Sequence, residues 1–207
     1  MRSNINARSN AEQVEAFTFM SLLKACTKLN DLQSGMQIHS EILENNMITS
    51  DGFVGNALID MYAQCGSVEM AKKVFDNLVS RDVVSWTALI AGYVDNGFGE
   101  EALELYHEMM FDGIPPNDVT CLSVIKACSN LASLHHVKCV HDNIVEHRLD
   151  FSSSVESTQV DMYVKCGSLE DALATFDALA VKDVVSWNSI IGGCADHGSL
   201  TFAIFTL

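Results

Sequence analysis

Apolar residues in the middle of the chain recur at the spacing of one helix face and then stop at a short turn. Two such groups, whose successive members are one or three residues apart, are separated by Cys65-Gly66-Ser67. They are Ala57, Leu58, Met61 and Tyr62 before the turn, and Ala71, Val74, Phe75 and Leu78 after it. This spacing predicts two amphipathic helices joined by a tight turn.

Glycine and serine mark where these helices end and begin. Gly66, Gly97 and Gly167 each follow a helical pattern, at the place where a helix end favours a left-handed residue. Ser67 and Ser168 come next and are candidate N-caps for the following helix. The turns therefore predict helical hairpins rather than separate long helices.

The chain repeats itself at a separation of 101 residues. The segment Asp60–Ser67 recurs as Asp161–Ser168, and Asp82–Trp86 recurs as Asp183–Trp187 in the same register. Residues 55–97 and 156–198 share 20 identities in 43 pairs, where unrelated sequences would share roughly 3. The two regions are therefore copies of one structural pattern.

A shorter period lies inside the long one. Similar four-residue segments begin at Asn56, Thr87, Leu122, Ser157 and Asn188, at spacings of 31, 35, 35 and 31 residues. A unit of this length holds two three-turn helices and two turns. We therefore predict an all-α array of helix-turn-helix repeats with one concave and one convex surface.

Composition places the chain among folded proteins and argues against phosphate-rich partners. It has 207 residues, of which 48% are hydrophobic, and no apolar run reaches the length of a membrane span. Lys and Arg number 12 against 27 Asp and Glu, a formal charge of −15, which repels a nucleic-acid backbone unless the cations share one face. The seven cysteines are odd in number and irregularly placed, which favours a reducing compartment.

Several motifs, in order, resemble the pentatricopeptide repeat family of plant organelles. They are residues 60–67, 82–93 (DVVSWTALIAGY) and 101–106 (EALELY), and the alternating unit lengths resemble the subclass with P, long and short motifs. The resemblance implies a right-handed superhelical solenoid of about six motifs. These are long motifs at 16–51 and 118–152, short motifs at 52–82 and 153–183, a P motif at 83–117 and a partial P motif at 184–207.

The resemblance also implies a partner, single-stranded RNA of an organellar transcript, read at one base per repeat by the fifth and last residues of each motif. Carried over to this chain, the pairs are Asn56 with Asp82, Thr87 with Asn117, and Ser157 with Asp183, and they imply uracil, adenine and guanine. Asn188 implies a pyrimidine, and its partner position falls beyond Leu207.

The second residue of each motif is expected to flank the base. These residues are Phe53, Val84, Val119 and Val185, and Ser154 departs from the aliphatic pattern. The long motifs carry Met20 and Leu122 at the fifth position, where a hydrocarbon cannot read a base edge by hydrogen bonding. We expect those two units to act as spacers or as readers of RNA shape.

Other roles remain open for the same residues. Asn56, Thr87 and Ser157 are also ordinary helix-start side chains, and the two motif-ending aspartates, Asp82 and Asp183, are also candidate N-caps. The tryptophans before the fifth positions, Trp86 and Trp187, are expected to be packing anchors rather than stacking platforms.

Titratable residues indicate structure rather than catalysis. His39 with His141, Cys26 with Cys128 and Cys65 with Cys166 all recur at the repeat offset, no Cys-x-x-Cys occurs, and no phosphate loop or nucleophile motif is present. We predict no metal, no cofactor and no catalysis, so any RNA processing or editing would need a separate enzyme.

The ends of the chain leave alternatives open. Residues 1–15 form a predicted N-terminal tail whose first ten residues are basic and free of acids, as in a transit peptide for the mitochondrion or chloroplast, or as in a remnant of an upstream repeat. The apolar end Phe202–Leu207 and the core-facing Gln159 fit a truncated non-functional fragment. The remaining alternative is a helical-repeat scaffold for protein–protein interaction.

Overall fold

The computed structural model describes residues 2–45, 52–146 and 152–196, and all regular structure in these ranges is α-helical. The helices in these ranges, in chain order, are α1 Arg2–Leu29, α2 Leu32–Glu44, α3 Gly52–Gln64, α4 Val68–Asp76, α5 Val83–Asp95, α6 Gly99–Phe111, α7 Asp118–Leu131, α8 Leu134–Glu146, α9 Ser153–Lys165, α10 Leu169–Ala178 and α11 Val184–Asp196. Among these residues, no helix has the length and apolar character that crossing a membrane requires. The predicted all-α fold class is confirmed.

Five of these helices begin at the first residue of a predicted motif. They are α3, α5, α7, α9 and α11, which begin at residues 52, 83, 118, 153 and 184. Helix α1 begins at Arg2 and runs through residue 16, so the predicted tail and the first predicted motif share one helix. The final predicted residues, 197–207, lie outside the described part of the chain.

The first compact unit, Met1–Phe98 with Phe111–Ile114, stacks helical hairpins side by side. The first helices of successive hairpins, α1, α3 and α5, pack against one another, and α2 and α4 pack on α1 and α3. Trp86 is buried, and its ring meets that of Phe75 edge to face with centroids 4.6 Å apart. This contact confirms the expectation that Trp86 is a packing anchor.

Tight approach of α3 and α5 requires a glycine. A Cβ added at Gly92 would overlap the side chain of Ala63 on the neighbouring helix. Two small residues therefore let these helices pack closely, and a larger residue at position 92 would force them apart.

The turns adopt the predicted left-handed glycine conformation. Gly66, Gly97 and Gly167 have φ values of 80°, 85° and 75°, and Ser67 N donates to Tyr62 O at 2.8 Å to close the end of α3. Ser67 and Ser168 occupy the N-cap positions of α4 and α10, but neither side chain donates or accepts a capping bond. Ser168 Oγ instead donates to Asp171 Oδ2 at 2.6 Å.

The second compact unit, Gly99–Met110 with Pro115–Leu207, has the same arrangement. The first helices α7, α9 and α11 pack in order, and α8 and α10 lie against α9. Trp187 packs edge to face on Phe176 at 4.8 Å, which repeats the Trp86–Phe75 contact. The repeat seen in the sequence is therefore a repeat in packing.

One core position differs between the copies. Leu58 of α3 is fully buried, and its counterpart on α9 is Gln159, which is only 6% exposed. The Gln159 Nε2 atom has no hydrogen-bond partner among the described residues. The predicted polar intrusion into the core is therefore present, and it leaves an amide donor unsatisfied.

Candidate nucleic-acid interface

The fifth and last residues of the first short motif meet in space. Asn56 on α3 is half-buried, and its Nδ2 donates to Asp82 Oδ1 at 3.5 Å, at the long end of hydrogen-bond distance. The two residues are separated by 26 positions in sequence. Packing of α3 against α5 therefore assembles a side-chain pair that the sequence predicted only by motif position.

Asp82 also caps the next helix. Its Oδ1 accepts from Ser85 N at 2.8 Å, and Asp82 N donates to Ser85 Oγ at 3.0 Å, a reciprocal capping box. The predicted N-cap role of Asp82 is confirmed. The cap fixes the carboxylate at the start of α5, where it can face Asn56.

The second short motif repeats the cap on its last residue and carries serine in place of asparagine at its fifth position. Asp183 accepts from Ser186 N at 2.8 Å, and this bond lowers the pKa of Asp183, to which the Ser157 hydroxyl contributes further. Ser157 is 1% exposed, and its Oγ has no hydrogen-bond partner within 3.5 Å among the described residues. The serine therefore faces the carboxylate without a direct bond to it.

The remaining fifth and last positions differ in their surroundings. Thr87 is buried and its Oγ1 donates to Val83 O at 2.6 Å, within its own helix. Asn117 caps α7 by accepting from Thr120 N at 2.9 Å. Asn188 is exposed on α11. Thr87 belongs to the first compact unit and Asn117 to the second.

Apolar side chains at the second positions lie on the surface, at the start of each first helix. The predicted residues in this group are all exposed, by 70% at Phe53, 56% at Val119 and 52% at both Val84 and Val185. Ser154, the predicted exception, is exposed as well. A repeated exposed apolar group beside a polar pair is suited to contact a flat, partly apolar ligand such as a base.

The capping partners were missed by the sequence reasoning. Ser85, Thr120 and Ser186 lie three residues after Asp82, Asn117 and Asp183, and each donates its backbone N–H to that residue. The signal was present, because a capping residue followed three positions later by a polar residue marks a helix start.

The recurring histidines bond to tyrosines of the next hairpin. His39 Nδ1 lies 2.8 Å from Tyr62 Oη, and His141 Nδ1 lies 2.6 Å from Tyr163 Oη. In the first pair, burial lowers the pKa of His39 and raises the pKa of Tyr62, which favours a neutral imidazole beside a neutral hydroxyl. These pairs join α2 to α3 and α8 to α9.

The recurring cysteines make a shared structural contact. Cys65 Sγ lies 4.0 Å from Cys26 O, and Cys166 Sγ lies 3.9 Å from Cys128 O. Within the described ranges, no group of three or more histidine, cysteine, aspartate or glutamate residues is arranged to hold a metal ion. The histidine–tyrosine and cysteine–carbonyl contacts thus join neighbouring helices.

Two of the cations, Lys165 and Arg81, are held by neighbouring groups. Lys165 pairs with Asp161 at 2.6 Å. Arg81 packs its guanidinium 4.8 Å from the Phe75 ring centroid and donates to Phe75 O. The exposed carboxylates Glu100 and Glu108 lie on α6, the second helix of its hairpin.

Comparisons with known proteins agree with these features. A model described as "PPR repeat family" matches residues 81–130, and a model described as "PPR repeat" matches residues 17–47, 56–83 and 185–205. Together they match more than half of the chain.

Relatives from Arabidopsis thaliana are longer than this chain. One pentatricopeptide repeat-containing protein is 44% identical over 88% of this chain, and 25% of the relative is covered. A chloroplastic one is 39% identical over 88% of this chain and 29% of the relative, and a mitochondrial one is 38% identical over 90% and 27%. The chain thus spans less than a third of the length of these relatives.

The fold is also seen in solved structures. The pentatricopeptide repeat protein PPR10 in complex with an 18-nt psaJ RNA element matches with a TM-score of 0.64 and 14% identity, over 89% of this chain and 28% of that one. PPR10 from maize matches with a TM-score of 0.62. The likeness shows a shared solenoid fold.

Proposed function

We propose, from the premise that this chain belongs to the pentatricopeptide repeat family, that it binds single-stranded RNA in a sequence-specific manner, with one base per repeat. The observation that carries the proposal is the hydrogen bond between Asn56 and Asp82, the fifth and last residues of one motif. The solved structure of PPR10, which shares this fold, is a complex with an 18-nt psaJ RNA element.

The chemistry of that pair suits a base edge. An asparagine carboxamide offers both a donor and an acceptor, and a capped carboxylate holds it in one orientation. The exposed apolar groups at second positions, such as Phe53 and Val84, supply surfaces for the base faces. Recognition then depends on hydrogen bonds and stacking.

The implied target follows from the other positions. Thr87 with Asn117 is assigned to adenine, Ser157 with Asp183 to guanine, and Asn188 to a pyrimidine, beside uracil at Asn56 with Asp82. Met20 and Leu122, both half-buried, accept any base. The alternating motif lengths support placement in the subclass with P, long and short motifs.

In this proposal the chain addresses an organellar transcript in the mitochondrion or chloroplast, as the names of its relatives suggest. It acts in RNA processing or editing without catalysis of its own. A separate enzyme supplies the chemistry at the addressed site.

The test compares two RNAs of equal length and composition, one with the implied base order and one scrambled, in filter binding at two salt concentrations. Tighter binding of the ordered RNA, with the difference kept at the higher salt, supports the proposal, because base contacts carry less salt dependence than phosphate contacts. Equal binding of both RNAs, or binding of basic peptides in their place, contradicts it and favours a protein scaffold. Failure of the chain to fold as a monomer favours a decayed fragment.

A further inference from the structure

One face of α11 is open in the described part of the chain. On the opposite side of this helix, a Cβ added at Gly193 would meet the side chain of Val164 on α9. The open face carries small and apolar residues at the spacing of one helix face. They are Val184, Ile191, Gly192 and Ala195, all exposed, by 74% at Val184 and 37% at Ile191.

The matching face of α5 is buried. At the offset of 101 residues, Ile191 and Ala195 correspond to Ile90 and Val94. These two residues of the first copy are 0% and 4% exposed. The repeat therefore uses these positions for packing, and α11 presents the same positions to solvent.

A second open face lies on α1, the first helix of the chain. Its exposed residues are Thr18, Leu22, Ala25 and Leu29, with 44% exposure at Leu22 and 77% at Leu29. The counterpart of α1 is α7, because residues 24–26 recur as residues 126–128 at an offset of 102. The residues of α7 that match the first three of these, Thr120, Val124 and Ala127, are 0% exposed. This face, too, is one that the repeat buries.

The order of the helices indicates what fits the open face of α11. Within each unit every first helix packs against the next first helix along the chain, α1 against α3 and α3 against α5, then α7 against α9 and α9 against α11. Helix α11 is the copy of α5, and the next first helix after α5 in the sequence is α7, whose copy is α1. Among the described helices, α1 of another copy is therefore the one that follows α11 in the repeat order.

The two helices also end in opposite charges. Asp196 is the last residue of α11, Lys28 lies in the last turn of α1, and both are exposed. Successive first helices run in the same direction, because each hairpin reverses the chain twice. A second copy's α1 placed along α11 in this direction brings the Lys28 ammonium near the Asp196 carboxylate, which favours this pairing.

We propose that two copies of this chain associate head to tail, with the open face of α11 in one copy on the open face of α1 in the other. Different surfaces meet, so each pair keeps one free face of either kind and can bind a further copy. Burial of Leu22 and Ile191 stabilises the contact, and the pair of Asp196 with Lys28 orients it. The contact is measured without RNA, so it does not depend on the proposed RNA binding.

Sedimentation equilibrium of the full chain, over a roughly hundredfold range of protein concentration, measures the association. The average mass should rise with concentration and pass that of a dimer, because a head-to-tail contact does not close at two copies. A mass that stays that of one chain at every concentration would overturn the proposal.

One variant blocks each face. A Cβ added at Gly192 meets nothing within 4 Å, and Ala25 is exposed, so the fold has room for Gly192→Arg and Ala25→Arg. Each arginine brings a charge into the contact and should weaken self-association at least about tenfold. The matched control is Phe111→Arg, which adds the same charge at a residue that is 93% exposed and outside both faces. It should associate like the parent chain.

Mixing the two blocked variants tests the head-to-tail geometry. Ala25→Arg keeps its α11 face, and Gly192→Arg keeps its α1 face. Each alone should be a monomer, whereas an equal mixture should form a 1:1 complex that does not grow with concentration. No complex in the mixture, or association of either variant alone as strong as that of the parent chain, would reject the contact.

A cross-link on the parent chain gives a second measurement that needs no variant. Copies labelled with nitrogen-15 are mixed with unlabelled copies and treated with a carbodiimide, which joins an ammonium to a carboxylate. Mass spectrometry should find Lys28 of one copy joined to Asp196 of another. Cross-links between copies that involve only other surfaces would overturn the proposal. Circular dichroism verifies that the variants are folded, and the cross-link decides the question if an introduced arginine unfolds the chain.

Discussion

Asn56 and Asp82 lie 26 residues apart in sequence, yet the amide of one donates to the carboxylate of the other. The same Asp82 oxygen accepts the capping bond from Ser85 N. One carboxylate thus ends one motif, begins the next helix and orients the side chain assigned to the base. In the proposed function, this shared use links the stability of the stack to base recognition.

The first prediction tests the capping role of Asn117. Asn117→Ala should lower the free energy of unfolding by about 1 kcal/mol, because the bond to Thr120 N is lost. Asn117→Ser keeps a capping oxygen and should be close to the parent in stability. Urea denaturation measures both variants, and equal loss in the two would contradict the capping role.

The second prediction concerns the histidine–tyrosine pairs. Tyr62→Phe should lower the free energy of unfolding by about 1 kcal/mol, because the partner of the half-buried His39 is removed. Tyr163→Phe tests the same bond in the other copy. Unfolding in urea, followed by circular dichroism, gives both values, and unchanged stability in both variants would show that the bonds contribute nothing.

The third prediction follows from the pKa of His39. Burial lowers that pKa from its ordinary value of 6.5, so below pH 6.5 the unfolded chain binds a proton that the folded chain does not. The free energy of unfolding should therefore decrease as the pH falls below 6.5. The decrease should stop once the pH is below the pKa of His39 in the folded chain. The control is His39→Gln, in which the thermal midpoint should vary less between pH 7.5 and pH 5.5. An equally large variation in both chains would assign the effect to other groups.

The fourth prediction uses the mismatch between the two copies. Gln159→Leu should raise the free energy of unfolding by about 1–3 kcal/mol, because an unsatisfied buried amide is replaced by the residue that the first copy carries. The matched reverse change, Leu58→Gln, should lower it by at least that amount. Chemical denaturation of both variants tests the pair. A less stable Gln159→Leu would mean that the amide is satisfied in solution.

The hairpin architecture could be predicted from sequence because it depends on local signals. Left-handed glycines such as Gly66 and Gly97 end helices by their own conformational freedom, and the helix starts at Val83 and Val184 follow capping aspartates that are visible in the sequence. The packing role of Trp86 follows from its recurrence beside a buried helix face.

The candidate site could be predicted only in part. Motif position pairs Asn56 with Asp82, but burial of Thr87 and its bond to Val83 O depend on how helices pack. The sequence marks Gln159 as a misplaced polar residue. Whether its amide finds a partner depends on how the neighbouring helices pack around it, which no short-range pattern determines.

The most direct test of base reading is the double change Asn56→Thr with Asp82→Asn. Asparagine remains a good N-cap, so the start of α5 is retained while the pair assigned to uracil becomes the pair assigned to adenine. Binding is measured with two RNAs that differ only at that base. We expect the preference to move from uracil to adenine. An unchanged preference in a variant that still folds and binds RNA would contradict base reading by this pair.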